Sequence, residues 1–297
     1  MTALRGEDAW FAGAMAALAV LAGGVLGLAM GAAGGGAIGG ALGLGVGAVL
    51  WRALTTRATE RERVRLAPFP GEWRRILEER YDHYHRLPPD LRRRFEEHVA
   101  LFLAEKRITG VEVEASLELR LLVAASAATL TAGWEGDHWD HLAEVLLYKK
   151  DFGRDYSFDE NDLSGQAHPW GTIILSVPTL EESFDDPDDG FHVGLHEFAH
   201  LLDVEQTRFD GVPRGLDAAR SREWLEVVDH EMDRLRRGKS VLDPYAGESP
   251  AEFLAVAVET FFERPLDLRQ RHREVYVILR DYFGQDPAAW DQARGLD

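Results

Sequence analysis

FHVGLHEFAHLLDVE, residues 191–205, is the stretch on which the fold turns. Its apolar residues recur at helical spacing, so the run reads as one helix, with Asp188, Asp189 and Gly190 as candidates for its N-cap. Leu195, Phe198, Ala199, Leu201 and Leu202 give it a broad apolar surface, the mark of a core helix. Residues four apart on a helix share a face, so His196 and His200 can grip one metal ion while Glu197 points toward its open side. Imidazole nitrogens suit zinc, and a carboxylate beside a zinc-activated water is the base that peptide hydrolysis needs. The bland reading is two packing histidines and one surface glutamate; it weakens because the remaining parts of such a site are also in the chain.

A catalytic zinc takes three protein ligands and keeps one position open. His192 is the nearest further histidine, but from it to His200 is about 12 Å of helix, too long for one tetrahedral site; it reads as a helix-face or substrate-side histidine. No third histidine follows at short spacing, so a carboxylate from another helix is expected. Ser249 then Pro250 reads as an N-cap and first helical position, and the helix behind them is unusually apolar, with Phe253, Leu254, Val256, Val258, Phe261 and Phe262. A glutamate in such a helix either faces water or is buried with a partner, and a metal offsets its desolvation best. Glu252 and Glu259 share a face, so either can ligate; Glu252 is preferred, with Glu259 as the outer partner that orients a ligating histidine. Tyr245, in the loop before this helix, carries a phenol that can donate to the oxyanion formed when water attacks a carbonyl, although a loop tyrosine is more often only packed.

With HEFAH at residues 196–200 and PAEF at residues 250–253, the chain resembles the Mlc titration factor A family of zinc peptidases, similar in its catalytic part to the lethal-factor-like gluzincins. The matching segments run in order over roughly residues 68–293 and include 117–127, 145–148, 171–176, 195–203, Tyr245, 250–253 and Asp286-Pro287. The resemblance implies His196, His200 and Glu252 as zinc ligands, Glu197 as general base, Tyr245 as the oxyanion-side phenol, and proteolytic or aminopeptidase activity on a peptide or protein substrate. In enterobacterial relatives a transcriptional repressor of sugar uptake is a partner; no residue here carries that property over. The chain departs from the family pattern after Ser176, where relatives often have a tryptophan and Val177-Pro178 follows here; the departure bears on the substrate-side strand end and not on the metal site. A rival reading keeps zinc as structural and has the protein sequester a regulatory partner.

Composition limits the alternatives. There is no cysteine, so any metal rests on histidine and carboxylate. The net charge of −18 argues against a nucleic-acid partner. Residues 52–94 hold twelve arginines against seven acids, whereas residues 151–210 hold fifteen acids against two arginines. The acidic group Asp185, Asp186, Asp188 and Asp189 reads first as a solvated loop, and second as a preference for basic or N-terminal amine substrates or as adventitious cation binding.

Residues 9–51 contain no charge, a run of 43, and a membrane helix needs about 20 apolar residues, so two can be built. Glycine recurs every fourth position from Gly23 to Gly47, which lets a second backbone approach closely. The run reads as a helical hairpin turning at Gly34-Gly35-Gly36, with Trp10 and Trp51 at its ends, packed on itself or on a second copy as a homo-oligomer. Arg5 on one flank and Arg52, Arg57, Arg61, Arg63 and Arg65 on the other put both ends in the cytoplasm and the enzyme on the cytoplasmic face of the inner membrane. A cleaved signal peptide, a single span and a soluble glycine-rich tail compete with this.

The domains are then a transmembrane hairpin over 1–52, a basic linker over 53–70 and a zinc metallopeptidase domain over 71–297. Residues 72–106 read as helical, broken near Pro88-Pro89, and residues 112–132 as an apolar helix. Residues 143–149 and 170–177 are strand-like, with 171–177 as the edge strand that pairs with substrate backbone. Residues 151–169 read as a polar loop in which His168 is a loop histidine or a substrate contact. Helices follow over 221–237, 251–263 and 267–283, with a short one from Pro287. The expected class is α+β: a predominantly helical, zincin-like domain with a small sheet.

Overall fold

The computed structural model describes residues 59–136, 139–151, 165–205 and 208–295, with isolated helical positions at Gly45, Val46, Ala48, Val49 and Thr56. The chain divides into two units, residues 1–68 and 69–297. In the first, residues 59–66 are helical within the stretch expected as a linker. The membrane hairpin expected over residues 1–52 lies outside the described residues, those isolated positions apart; among the described residues no helix is long and apolar enough to cross a membrane.

The second unit runs α1 (Gly71–Arg80), α2 (Asp82–Arg86), α3 (Pro89–Glu105), β1 (Arg107–Val111), α4 (Leu117–Thr131), β2 (Glu144–Tyr148), β3 (Gly165–His168), β4 (Thr172–Ser176), α5 (Val177–Asp185) and α6 (Val193–Leu202). After a two-stranded ribbon, β5 (Val204–Glu205) and β6 (Arg208–Phe209), come α7 (Ala218–Arg236), a 3-10 turn (Pro244–Gly247), α8 (Pro250–Glu263), α9 (Pro265–Arg271), α10 (Arg273–Phe283) and α11 (Pro287–Ala293). The architecture is α+β, mostly helical with one small sheet.

Helix α4 organises the interior. Ser116 caps it by accepting the Leu119 N–H at 3.2 Å. From Leu121 to Thr131 every residue is buried, which a helix apolar on all sides requires. It packs against α3 on one side and α6 on the other. It begins at Leu117 rather than at 112, because Glu112 adopts a left-handed φ of 58° in the bend that follows β1. The sequence pattern misses β1 itself, where Arg107, Thr109 and Gly110 dilute the apolar alternation.

The sheet has the order β1-β2-β4-β3. The first three strands in that order are parallel and β3 is antiparallel to β4. Val145, Leu147, Ile173 and Leu175 are fully buried, as the two central strands of a covered sheet must be. This corrects the expectation for 171–177: β4 is hydrogen-bonded on both sides, and the strand at the rim beside α6 is β3. Strand β3 lies in the stretch read as loop, whose residues 152–164 are outside the described ones. Only Ala167 of its four residues is buried, so it leaves no apolar alternation to detect. The turn joining β3 to β4 requires glycine: Gly171 has φ 94°, and a Cβ there would stand 1.8 Å from the His141 carbonyl oxygen.

Two further expectations change. Val177-Pro178, the departure from the family pattern, opens α5 with proline in its first turn. The single helix expected over 267–283 is two, α9 and α10, meeting at His272, which leaves helical geometry at φ −135° and ψ 56°.

Candidate metal centre

Helix α6 starts at Val193, and its cap is His192, whose Nδ1 accepts the Leu195 N–H at 3.2 Å. Asp189 instead closes the preceding turn by accepting the Phe191 N–H at 2.7 Å. His192 is 1% exposed, and burial lowers its pKa to about 3, so the ring stays neutral and able to accept. It is therefore neither a helix-face nor a substrate-side histidine.

Helices α6 and α8 pack together, and Ser249 caps α8 as its sequence indicates, accepting the Glu252 N–H at 3.2 Å. Glu252 then stands in the first turn of α8, opposite His196 and His200. One donor atom from each of the three lies within 4.8 Å of the others. The two Nε2 atoms are 3.2 Å apart, and Glu252 Oε2 is 3.1 Å from His196 Nε2 and 3.5 Å from His200 Nε2. Ligands about 2.0–2.1 Å from a tetrahedral zinc stand about 3.3–3.4 Å from one another, so this triangle has the size of one face of such a site.

Glu259 ties the arrangement together. Its Oε1 is 2.6 Å from His196 Nδ1, and its Oε2 accepts the His192 N–H at 2.6 Å. A proton held on Nδ1 toward a carboxylate leaves the Nε2 lone pair free to ligate, the arrangement metal-bound histidines generally have. The electrostatics agree. Burial alone would lower the His196 pKa, but Glu259 and Glu252 together raise it well above the ordinary value, so the pocket stabilises positive charge. Burial would raise the Glu252 carboxyl, yet hydrogen bonds from the two imidazoles hold it at about 2. Glu259→Gln is expected to keep the fold and weaken metal affinity about 10- to 100-fold, read by competition with a fluorescent chelator.

Glu197 projects from the same helix and is 5% exposed; burial raises its pKa, against the pull of His196 and His200. Gly165, at the start of β3, makes room for it. A Cβ at position 165 would lie 2.5 Å from Glu197 Oε1, 2.7 Å from its Cγ and 2.8 Å from Val193 Cγ2. Gly165→Ala is therefore expected to displace the carboxylate of Glu197 while leaving the His196–His200–Glu252 cluster able to take up metal as before, which a crystal structure and parallel metal titration would check.

A cavity of about 400 Å3 opens beside these groups, lined by Val193, His196 and Glu197 of α6, Val256 and Thr260 of α8, and Tyr245. Tyr245 sits in the 3-10 turn, 44% exposed, its ring centre 6.0 Å from that of His196. Gly165, Val241 and Arg264 also reach the cavity. Sequence reading missed all three. Arg264 alone had a signal, following Thr260 and Val256 at four-residue steps just past the end of α8, where it is the C-cap. His168 lies on β3, stacked on Trp170 with ring centres 4.4 Å apart.

The chain is similar to several known proteins. An uncharacterized protein of Synechocystis sp. is 30% identical over 236 residues, covering 74% of this chain and 86% of that protein. Mlc titration factor A of Cronobacter sakazakii is 31% identical over 212 residues, 63% of this chain and 76% of the relative. The Yersinia pestis protein of the same name is 33% identical over 191 residues, 58% and 67% of the two chains. Residues 55–284 match the family described as glucose-regulated metallo-peptidase M90, and with a histidine–histidine–glutamate cluster at its centre the chain belongs to that family.

Proposed function

We propose that the protein is a zinc-dependent peptidase in which His196, His200 and Glu252 hold the metal and Glu197 is the general base. The observation that supports this is the convergence of three potential ligand atoms from α6 and α8 beside a cavity lined by His196 and Glu197. Zinc bound there supplies Lewis acidity toward water and a peptide carbonyl. Glu197 takes the proton of the attacking water and returns it to the leaving amine; its burial strengthens it as a base. The Tyr245 hydroxyl, at the cavity mouth, donates to the developing oxyanion. The test is hydrolysis of aminoacyl-nitroanilide and longer peptide substrates by the full chain, before and after chelation and with zinc restored. Chelator-sensitive cleavage restored by zinc supports the reading; no cleavage of any peptide by the zinc-loaded chain rejects it.

The relatives' name, titration factor, favours a second reading, in which the protein binds and sequesters a partner protein and the metal is structural. A structural zinc needs no buried base beside an open cavity, so Glu197 supports the enzyme.

The 43 uncharged residues, with glycine at every fourth position from Gly23 to Gly47, support an anchor in the inner membrane, with the enzyme on its cytoplasmic side. Protease added to intact spheroplasts is expected to leave the C-terminus uncut; cleavage there would reject that orientation.

A further inference from the structure

A second buried polar network lies outside the candidate metal cluster, at the junction of α9 and α10. His272 is completely buried, and its Nδ1 is 2.7 Å from Oε2 of Glu231, itself 5% exposed, on α7. Oε1 of Glu231 accepts from Arg234 Nη1 at 2.8 Å, and Arg234 also donates to the carbonyls of Arg271 at 3.0 Å and Lys239 at 3.3 Å. The other ring nitrogen of His272 faces the loop between α7 and the 3-10 turn. The Val241 N–H is 3.3 Å from Nε2 and Ser240 Oγ is 3.2 Å from it. A backbone N–H only donates, so Nε2 accepts, and the ring proton sits on Nδ1 toward Glu231.

The loop continues into the cavity wall. Ser240 Oγ accepts the Leu242 N–H at 3.1 Å, and Asp243 Oδ1 accepts the Tyr245 N–H at 2.8 Å. Val241, Asp243 and Tyr245 face the cavity with His196 and Glu197, while Ser240 bonds to His272. A buried carboxylate and imidazole cost desolvation that an apolar contact of the same volume avoids, so their use here calls for a reason beyond stability. The hydrogen-bond directions supply one: they fix three consecutive residues of the strip that presents Tyr245.

We propose that His272 and Glu231 are positioning residues for the catalytic wall, setting Tyr245 and the 241–243 strip through hydrogen bonds to Ser240 and Val241. This rests on the peptidase reading for its catalytic consequence. His272→Phe keeps a planar ring and removes both bonds. In the full-length chain it is expected to leave metal content unchanged and speed hydrogen exchange of amides 241–247, with exchange in α6 and α8 unaltered. It is also expected to lower kcat about 10- to 100-fold, since small misplacements of catalytic groups cost rates of this order.

In a Tyr245→Phe background the same change should cost less than about twofold, because the group it positions is gone. Ser240→Ala leaves the Val241 bond in place and should fall between wild type and His272→Phe in both readouts. It carries the test if His272→Phe does not fold. Unaltered loop exchange, an equal kcat loss in the Tyr245→Phe background, or exchange that rises throughout α7 and α10 would each overturn the proposal. A wild type that hydrolyses nothing, whose loop exchange still responds to His272→Phe, supports the positioning and rejects the peptidase reading alone.

Discussion

Glu197→Gln is expected to bind metal as wild type does and to lose about 10²- to 10⁴-fold in kcat, the range a general base supplies. The substitution conserves shape in a side chain that is 5% exposed and wedged against the start of β3, so the helix has no cause to move. Glu197 is not one of the three clustered donors, so metal content stays at the wild-type level. What changes is basicity: an amide cannot take the proton of the attacking water. Steady-state kinetics beside metal analysis on the same preparation would check it. Retained hydrolysis would remove Glu197 from the mechanism even if the metal site stood.

Glu252→Ala attacks the other half of the account. The carboxylate lies between two imidazoles, 3.1 Å and 3.5 Å from their Nε2 atoms, and these hold its pKa at about 2. Without it two histidines remain, and Glu259 is already committed to His196 Nδ1 and the His192 N–H. Metal affinity should fall by more than the roughly 100-fold that loss of an outer partner costs, and hydrolysis should fall with it. Mass spectrometry of dialysed protein, wild type beside variant, separates the outcomes. Full metal occupancy in Glu252→Ala would mean that another group ligates.

The two variants differ in a useful way. One is expected to separate chemistry from metal binding, and the other to lose both together.

Much of this site was legible in the sequence because its parts lie on helices whose periodicity is strong. His196, Glu197 and His200 follow from the four-residue repeat, and Glu252 from a capped apolar helix that leaves a carboxylate to be accounted for. Glu259 could be placed on the same face as Glu252, and the structure finds it against His196 Nδ1. What escaped was set by contacts between segments distant in the chain. His192 looked like a helix residue, since nothing local reveals that an imidazole rather than an aspartate accepts the first free N–H. The rim strand was misplaced because β4 is the more apolar strand, and strong apolarity marks a central strand rather than an edge. The break at His272 was invisible because no proline or glycine marks it, and the partner its ring bonds, Glu231, lies 41 residues earlier on another helix. Gly165 was hidden in a polar stretch, and its significance comes entirely from the side chain that packs over it.

The central claim is that one divalent ion is held jointly by α6 and α8. Anomalous diffraction from crystals of residues 69–297 grown with zinc, recorded on both sides of the zinc absorption edge, tests it most directly. The account predicts a single peak within bonding distance of His196 Nε2, His200 Nε2 and a carboxylate oxygen of Glu252, beside the carboxylate of Glu197. A peak bonded to other residues, or no peak between the two helices at full zinc loading, would contradict it.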